Sequence, residues 1–532
     1  MIKFLKEHIS LKEKKVEVIV FLCLSILTMS IDVVITYLNG NFIDLIIDKD
    51  NVGVLLSYSG ILILGYIVSI VLNYGYQSLS LILREELSFS LSSKLIKHIH
   101  RVSILKIKKY EPSYLTQRIY SDSSDIINFV LDNVVMIFAN VFIGGVVLAY
   151  VVSANTKIFI VFVCFLPIYI IVYFFSRNRL VRKTKEVREA QNIFFQKIYE
   201  QISLTENIKT EASFFEYDDY LKKSYQKYIK SFSKYTKLNT GIKSLENFLS
   251  YGFYAMLLVL GTVEIVKGNL TIGNFTIINA YFTKMLGIIT YYLEVGKGIK
   301  QIEVSVNRMK ELFDLPREHN GNILLEHIYN IEVRDLVYQY PDNDHIIFKD
   351  FNCSFEKGNI YVIRGSNWKG KSTLLKTVIG ILETERGIYI NGYNICELDM
   401  YTIRKEQISV LRQKIEFPYD TIGNLVRKNG NGKKLFEGRV RELFFNRDFN
   451  LEKYFLSYPD ELSGGELQKA YLYKILKKDG EVLILDEPTS ALDEQTTMNF
   501  FGVLEEIKKE KIIIVITHDP KFEKIADEII QL

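Results

Sequence analysis

Six apolar runs, each near the roughly 20 residues that cross a bilayer, mark the N-terminal half: Val16 to Leu38, Val52 to Leu83, Ile126 to Val152, Ile158 to Phe175, Phe248 to Val266 and Ile272 to Leu293. Six crossings return a chain to its starting side. The first run is long, has no small-residue cleavage site and is followed by five more, so it reads as a span and not a removed signal. Between runs, polar connections keep helical periodicity, as in Val187, Phe194, Phe195, Ile198 and Ile202, and residues Ser176 to Thr240 contain neither Pro nor Gly. This predicts helices that continue the spans, with extensions of 20 to 25 residues reaching roughly 30 to 38 Å beyond the bilayer. After a helix and linker over Asn307 to Pro316, the pattern changes to short strand-like runs: Ile331 to Tyr340, Ile360 to Ile363, Val482 to Leu485 and Ile512 to Ile516. The expected organisation is a segment 1–15, an all-α six-helix membrane domain over 16–310 with two long intracellular loops, a linker 311–328 and an α/β domain over 329–532.

Composition supports two unlike halves, since 48% hydrophobic content sits beside 24% charge. The net charge of +4 gives no basic excess on the scale of nucleic-acid binding, and no nucleic-acid partner is expected. Position is more informative than the total. Lys3, Lys6, Lys12, Lys14 and Lys15 precede the first run, and Arg84 to Arg118 and Arg177 to Lys243 are basic, whereas Asn39 to Asn51, Ser153 to Lys157 and Lys267 to Thr271 are short and lysine-poor. The positive-inside rule therefore puts both termini and both long connections in the cytoplasm of a multi-pass membrane protein. Cys23, Cys164, Cys353 and Cys396 are scattered without metal-ligand spacing and read as free thiols. Asp32 and Lys284 lie inside the first and sixth runs. In lipid each would cost about 2.5–3.5 kcal/mol, so a wet cavity or a partner is expected, as a structural pair or a substrate contact.

The chemistry lies in the second half. After the strand ending at Arg364 comes Gly365-Ser366-Asn367-Trp368-Lys369-Gly370-Lys371-Ser372-Thr373 and then a helix-like stretch. Strand, glycine loop and helix in this order make a phosphate-binding loop: backbone N–H groups hold the phosphates, Lys371 neutralises the β/γ charge and Ser372 ligates Mg²⁺. The domain is thus an α/β P-loop NTPase. Val482 to Leu485 runs into Asp486-Glu487 at a strand's carboxyl end, where Asp486 suits the metal and Glu487 the attacking water. His518, closing Ile512 to Thr517, suits a contact to the γ-phosphate and that water.

Leu462-Ser463-Gly464-Gly465-Glu466 closely resembles the ABC signature, and with the phosphate loop, Gln413, Asp486-Glu487, Ser490-Ala491-Leu492-Asp493 and His518 in this order it resembles an ABC nucleotide-binding domain. Upstream, Leu270-Thr271-Ile272-Gly273, Gln117-Arg118-Ile119-Tyr120-Ser121-Asp122 and Ile208-Lys209-Thr210-Glu211-Ala212-Ser213-Phe214 resemble the last membrane helix and the two intracellular loops of ABC half-exporters. The resemblance implies ATP and Mg²⁺ as ligands, adenine stacking by Tyr340, Mg²⁺ contacts from Ser372, Gln413 and Asp486, and catalysis by Glu487 and His518. It further implies that Ser463, Gly464 and Gly465 serve the ATP of a second subunit, and that Glu466 and Asp493 belong to the nucleotide-binding residues. A homodimer is expected, because every site position stands in one chain, with a heterodimer as the alternative. The turns near Lys109 to Leu115 and Glu211 to Tyr217 are expected to meet the ATPase near Gln413.

Four features depart from the family pattern: Trp368 where Gly or Ala is usual, a rather short helical insert between Gln413 and Leu462, Tyr458-Pro459-Asp460-Glu461 before the signature, and Leu467-Gln468-Lys469 after it. An outward-pointing indole leaves ATP binding intact. The expected function is ATP-driven export, of a peptide or antimicrobial by preference, without an N-terminal peptidase domain and in the cytoplasmic membrane of a bacterium. Alternatives are a lipid or drug exporter and a low-turnover regulatory ATP-binding protein. An importer is disfavoured by the fused spans.

Overall fold

The computed structural model describes residues 4, 7–8, 14–48, 51–110, 112–341, 343, 345–366, 369–413, 420–427, 455–478 and 480–532. The chain forms two compact units, Met1–Ile96 with Ser113–Phe313 and Lys97–Pro112 with Asp314–Leu532.

In chain order the first half folds into α1 (Lys15–Ile47), α2 (Val52–Ile99), the short α3 (Ile104–Ile107), α4 (Pro112–Ala154), α5 (Thr156–Ser203), the short α6 (Thr205–Glu211), α7 (Phe214–Val266) and α8 (Ile272–Phe313). The six apolar runs fall in α1, α2, α4, α5, α7 and α8. Of these, α1, α2, α4 and α7 are long and apolar enough to cross a membrane, and α5 adds the shorter apolar stretch Thr156–Phe165. As the unbroken periodicity predicts, the polar connections extend the spans. α5 alone runs 48 residues, roughly 72 Å. Its length ends where Leu204 leaves the helix, and Ala212, in the left-handed region at φ 50°, ends α6.

Within the first unit, α1 and α8 approach backbone to backbone. A Cβ on Gly273 would stand 2.1 Å from the Gly40 carbonyl oxygen, so only glycine fits this crossing. Asp44 fixes the same end by accepting from Thr271 Oγ1 and the Gly273 N–H, both at 2.6 Å. Elsewhere Phe162, Phe165, Phe253 and Phe282 of α5, α7 and α8 form a buried aromatic cluster.

The second unit holds two sheets. β1 (Asn330–Gln339) and β2 (Ile346–Glu356) pair antiparallel. The chain then forms β3 (Ile360–Arg364), α9 (Lys371–Val378), β4 (Ile388–Ile390), β5 (Tyr393–Asn394), α10 (Met400–Glu406), β6 (Ile408–Leu411), α11 (Ile422–Arg427), α12 (Gly464–Lys477), β7 (Val482–Asp486), α13 (Glu494–Ile507), β8 (Ile512–Ile516) and β9 (Glu528–Gln531). The antiparallel sheet has the order β2-β1-β4-β5 and the parallel sheet β6-β7-β8-β3-β9. Strand parity explains why the parallel strands are apolar throughout: Tyr361, Ile363, Val482 and Ile484 enter the core on one face, and Ile360, Val362, Leu483 and Leu485 the core on the other. The first face is closed by α9, α10 and the antiparallel sheet, the second by α12 and α13.

The segment Lys97–Pro112 is sewn into this unit. The Glu318 N–H donates to the Arg101 carbonyl at 2.7 Å, Val102 bridges Arg317, and Ile104 and Leu105 of α3 pack on the first core face. Within this segment the apolar pair Ile104 and Leu105 enters the core, just upstream of the expected contact stretch Lys109 to Leu115.

Candidate active site

Three adjacent parallel strands end together, and the sequence places a chemical group after each. Past β3, the loop turns into α9 through Gly370, whose φ of 96° is left-handed and whose Cβ would lie 2.5 Å from Ile347. Both constraints demand glycine. Lys371 opens the helix, and its Nζ donates to the Gly365 carbonyl at 2.5 Å and meets His518 Nε2 at 3.0 Å. An ammonium has only donors, so His518 accepts at Nε2 and carries its proton on Nδ1. Asn367 and Trp368 lie outside the described residues; Gly365, Ser366 and Lys369 are described. Lys371, Ser372, Thr373, Gln413, Asp486, Glu487 and His518 line one cavity of about 960 Å³, with Tyr340 at its rim bonded through its hydroxyl to Thr373 Oγ1 at 3.2 Å. Tyr340 stands just past the end of β1.

Glu487 follows β7 with φ 50°, a conformation that costs a non-glycine residue roughly 1–3 kcal/mol and persists where surroundings over-determine it. They do so here. Its N–H donates to the Ile516 carbonyl at 2.8 Å, its Oε1 accepts from the His518 N–H at 3.2 Å, and its Oε2 accepts from Thr517 Oγ1 at 3.3 Å. The neighbouring Asp486 carboxyl is pushed up from the ordinary aspartate value, first by burial and then by the Glu487 charge, while Lys376 and Lys371 pull the other way. A hydroxyl, an amide and a carboxyl from Ser372, Gln413 and Asp486 on one cavity wall are hard oxygen donors of the kind that fit Mg²⁺, and a cation there would relieve the repulsion between the adjacent acids.

The signature residues do not join this cavity. Ser463 caps α12 in a reciprocal box: its Oγ accepts the Glu466 N–H at 3.4 Å, and Glu466 Oε2 accepts the Ser463 N–H at 2.9 Å. The Ser463 hydroxyl, donating to Glu466 Oε2 at 2.7 Å, and then the Ser463 N–H hold the Glu466 carboxyl below the ordinary range. Gly464 and Gly465 open the helix, and a Cβ on Gly465 would stand 2.7 Å from the Ala491 carbonyl oxygen. Asp493 caps α13 through the Thr496 N–H at 2.8 Å and pairs with Lys469 at 2.9 Å, which holds its carboxyl well below the usual range.

Sequence reasoning misses the residue that joins these pieces. Gln468 is buried, donates to the carbonyls of Glu487 at 3.1 Å and Pro488 at 2.6 Å, and accepts from the Ala491 N–H at 2.9 Å. The available signal is its place in the i, i+4, i+7 apolar stripe with Leu472 and Ile475. Asn343 and His345 also line the cavity and follow Tyr340 closely in the chain.

The profile of the ABC transporter transmembrane region matches residues 18–289, and a second profile, described as ABC transporter, matches residues 348–490. The chain belongs to the ABC transporter family. The ABC chain is 25% identical over 479 residues to the transport/processing ATP-binding protein ComA of Streptococcus pneumoniae, covering 86% of this chain and 65% of ComA. It thus spans just under two thirds of that relative. The lactococcin-A transport/processing ATP-binding protein LcnC of Lactococcus lactis is 23% identical, over 98% of this chain and 73% of LcnC. The ATP-dependent lipid A-core flippase of Pasteurella multocida is 26% identical over 53% of this chain and 50% of the flippase. A bacterial Atm1-family ABC exporter solved with ATP bound superposes with a TM-score of 0.78 over 98% of this chain and 94% of that one, at 16% identity, a likeness of fold. The expected pairing of a helical membrane domain with a P-loop ATP-binding domain is the fold of this ABC membrane protein.

Proposed function

We propose that the chain is one half of an ATP-driven exporter, that two copies form the working unit, and that the exported substrate is a peptide. The observation that carries the reading is the convergence of Lys371, Asp486, Glu487 and His518 at the ends of three neighbouring strands. Lys371 would neutralise β- and γ-phosphate charge, and Tyr340 would stack on adenine. Ser372, Gln413 and Asp486 would hold Mg²⁺, which supplies charge neutralisation at the phosphates when bound. Glu487 is the base: Thr517 Oγ1 and the His518 N–H donate to its two carboxyl oxygens and orient the group to accept the proton of the attacking water. The His518 ring, 3.0 Å from Lys371 Nζ through its Nε2, would contact the γ-phosphate. Ser463 to Glu466 and Asp493 are not among the residues lining their own chain's cavity and would complete the site of a second copy, the helix N-terminus of α12 meeting the γ-phosphate.

Hydrolysis would remove the charge bridging the two copies. Because α3 is anchored in the ATP-binding unit and continues in the chain into α2 and α4, movement of that unit would draw on the membrane helices. Lysine and arginine distribution supports cytoplasmic termini and ATP-binding units. Peptide is preferred because ComA and LcnC are named for transport and processing, LcnC specifically for lactococcin-A. The flippase relative favours lipid as the second reading. ATPase assays on the purified chain in lipid with panels of peptides, lipids and dyes separate the two. Stimulation by peptides alone supports the first reading, stimulation by lipids alone the second, and no hydrolysis under any condition contradicts both.

A further inference from the structure

The exposed surface of α2 is apolar over most of its circumference, as a membrane span requires, but one stripe is polar. Tyr66, Ser69, Asn73, Gln77, Ser80 and Arg84 succeed one another at spacings of three and four, which keeps all six on one face of the helix. At 1.5 Å per residue the stripe is roughly 27 Å long, close to the roughly 30 Å of a bilayer's hydrocarbon core. Its two ends are tied to neighbouring helices. Asn39 of α1 donates to the Tyr66 hydroxyl at 2.7 Å and Ser69 donates to Asp32 of α1 at 3.4 Å. Arg84 donates to Ser80 at 3.0 Å and to Asn128 of α4 at 3.4 Å, and pairs with Asp132 of α4. Between the ends, Asn73 and Gln77 are exposed, with Gln77 Nε2 donating to Asn73 Oδ1 at 3.1 Å.

This face does not suit lipid tails. An amide moved from water into hydrocarbon without partners costs about 4–8 kcal/mol, and an ionised Asp or Arg at mid-depth costs about 2.5–3.5 kcal/mol even on the milder insertion scales. Helix-to-helix adhesion accounts for the two ends, where α1 and α4 supply the partners. It does not account for the middle, where two exposed amides offer more donors and acceptors than their one mutual bond uses.

We infer that this stripe is one wall of the translocation path and that its occupant is a peptide segment in extended form. The inference rests on the export reading above and names the chemistry of its substrate. The occupant follows from how polarity must vary with depth. A lipid or an amphipathic dye is polar at one end and needs polar wall groups at one depth. An extended peptide presents N–H and C=O groups about every 3.3 Å along its whole length, so it needs them at every depth. The stripe offers them at each helical turn over a length that matches about eight extended residues.

The test places p-benzoylphenylalanine at Asn73 or Gln77, and separately at Val71 or Ile82 on the opposite face, in the full chain reconstituted in phosphatidylglycerol-containing nanodiscs. The probe is a fluorescent, unstructured 20-residue peptide of Gly, Ser, Asn and Lys. Illumination should attach the peptide at Asn73 and Gln77 at least tenfold more than at Val71 and Ile82, and excess unlabelled peptide should suppress it. Equal labelling of the two faces, or attachment from Asn73 and Gln77 only to lipid or only to a second copy of the chain, overturns the inference. Capture requires no hydrolysis, so a chain that captures peptide yet never hydrolyses ATP contradicts the proposed function and leaves this inference standing. A chain whose ATPase responds to lipid, with no peptide captured, overturns this inference and the peptide reading together, and leaves ATP-driven export standing with lipid as its substrate.

Discussion

Lys371 and Arg84 are both basic residues with polar partners, and their surroundings differ in kind. Lys371 lies where parallel strands end; its partners are the Gly365 carbonyl and His518, and the acids Asp486 and Glu487 follow directly from β7. Arg84 lies on one long helix and is matched by Ser80 a turn earlier and by Asn128 and Asp132 on α4. In the first region the backbone sets positions: a left-handed glycine, a left-handed glutamate and three strand ends in register. In the second, side chains on helix faces set them, and each contact can shift by a rotamer. A cradle of the first kind should respond to single substitutions with large changes in rate. A stripe of the second kind shares its work, and single changes there should be graded.

The largest effect separates the two regions most sharply. Glu487→Gln should lower ATP turnover by about 10²-fold or more while ATP still binds, since positioned general bases contribute about 10²–10⁴. Phosphate release and equilibrium ATP binding on the same preparation measure it. Near-normal turnover would remove Glu487 from its role and with it the claim that strand-end geometry governs rate.

Next comes Gln468→Leu, which deprives two buried carbonyls and the Ala491 N–H of their shared partner. A loss of about 1–3 kcal/mol in the stability of the ATP-binding unit is expected, with turnover reduced because Glu487 loses its support from below. Denaturant unfolding and steady-state hydrolysis read the two consequences. Unchanged stability would mean that the signature helix and the strand end are coupled elsewhere.

These two residues also mark what sequence can and cannot convey. Glu487 is legible because the chemistry needs an acid straight after an apolar strand beside a phosphate loop, and the parallel sheet leaves few other places for it. Gln468 is legible only as a polar residue in an apolar stripe, which does not name its partners. β2, β4, β5, β6 and β9 are not among the strand-like runs read from the sequence, and for β2 the reason is a related one. Asp335 and Asp350 take left-handed conformations, and the β1–β2 register slips at several points, so the alternation that marks a half-buried strand is broken. The six apolar runs are plain from hydropathy, yet α3 enters the ATP-binding core through Ile104 and Leu105, two residues too few to register as a pattern. The stripe on α2 has the right spacing, but only the exposure of Asn73 and Gln77 distinguishes it from ordinary helix adhesion.

A smaller effect is expected at Trp368, the single tryptophan. An L-residue is compatible with a phosphate loop when its side chain points away from the nucleotide, so Trp368→Gly should leave ATP affinity and turnover within tenfold of the parent. A gain above tenfold, about 1.4 kcal/mol, would show that the indole restrains the site.

The smallest effect concerns pH. The Lys469 ammonium, followed by the Thr496 bonds, holds Asp493 below its ordinary value of 3.8, so the link contributes stability that is fully present above that value and is lost as pH falls through the depressed one. For so exposed a pair the contribution is tenths of a kcal/mol to about 1 kcal/mol. Asparagine caps a helix about as well as aspartate, so Asp493→Asn should remove the pH dependence and keep the cap. Thermal unfolding at pH 7 and pH 3 should show a smaller difference in the variant than in the parent. An equal difference would place the dependence on other carboxylates.

The central claim is that ATP hydrolysis in the strand-end cradle drives a peptide through the helical unit. Its most direct test is accumulation of the fluorescent 20-residue peptide inside proteoliposomes whose ATP-binding units face outward, with ATP and Mg²⁺ supplied outside. ATP-dependent accumulation that Glu487→Gln abolishes is the predicted result. Hydrolysis by the parent without peptide accumulation, or accumulation that persists in Glu487→Gln, would contradict it.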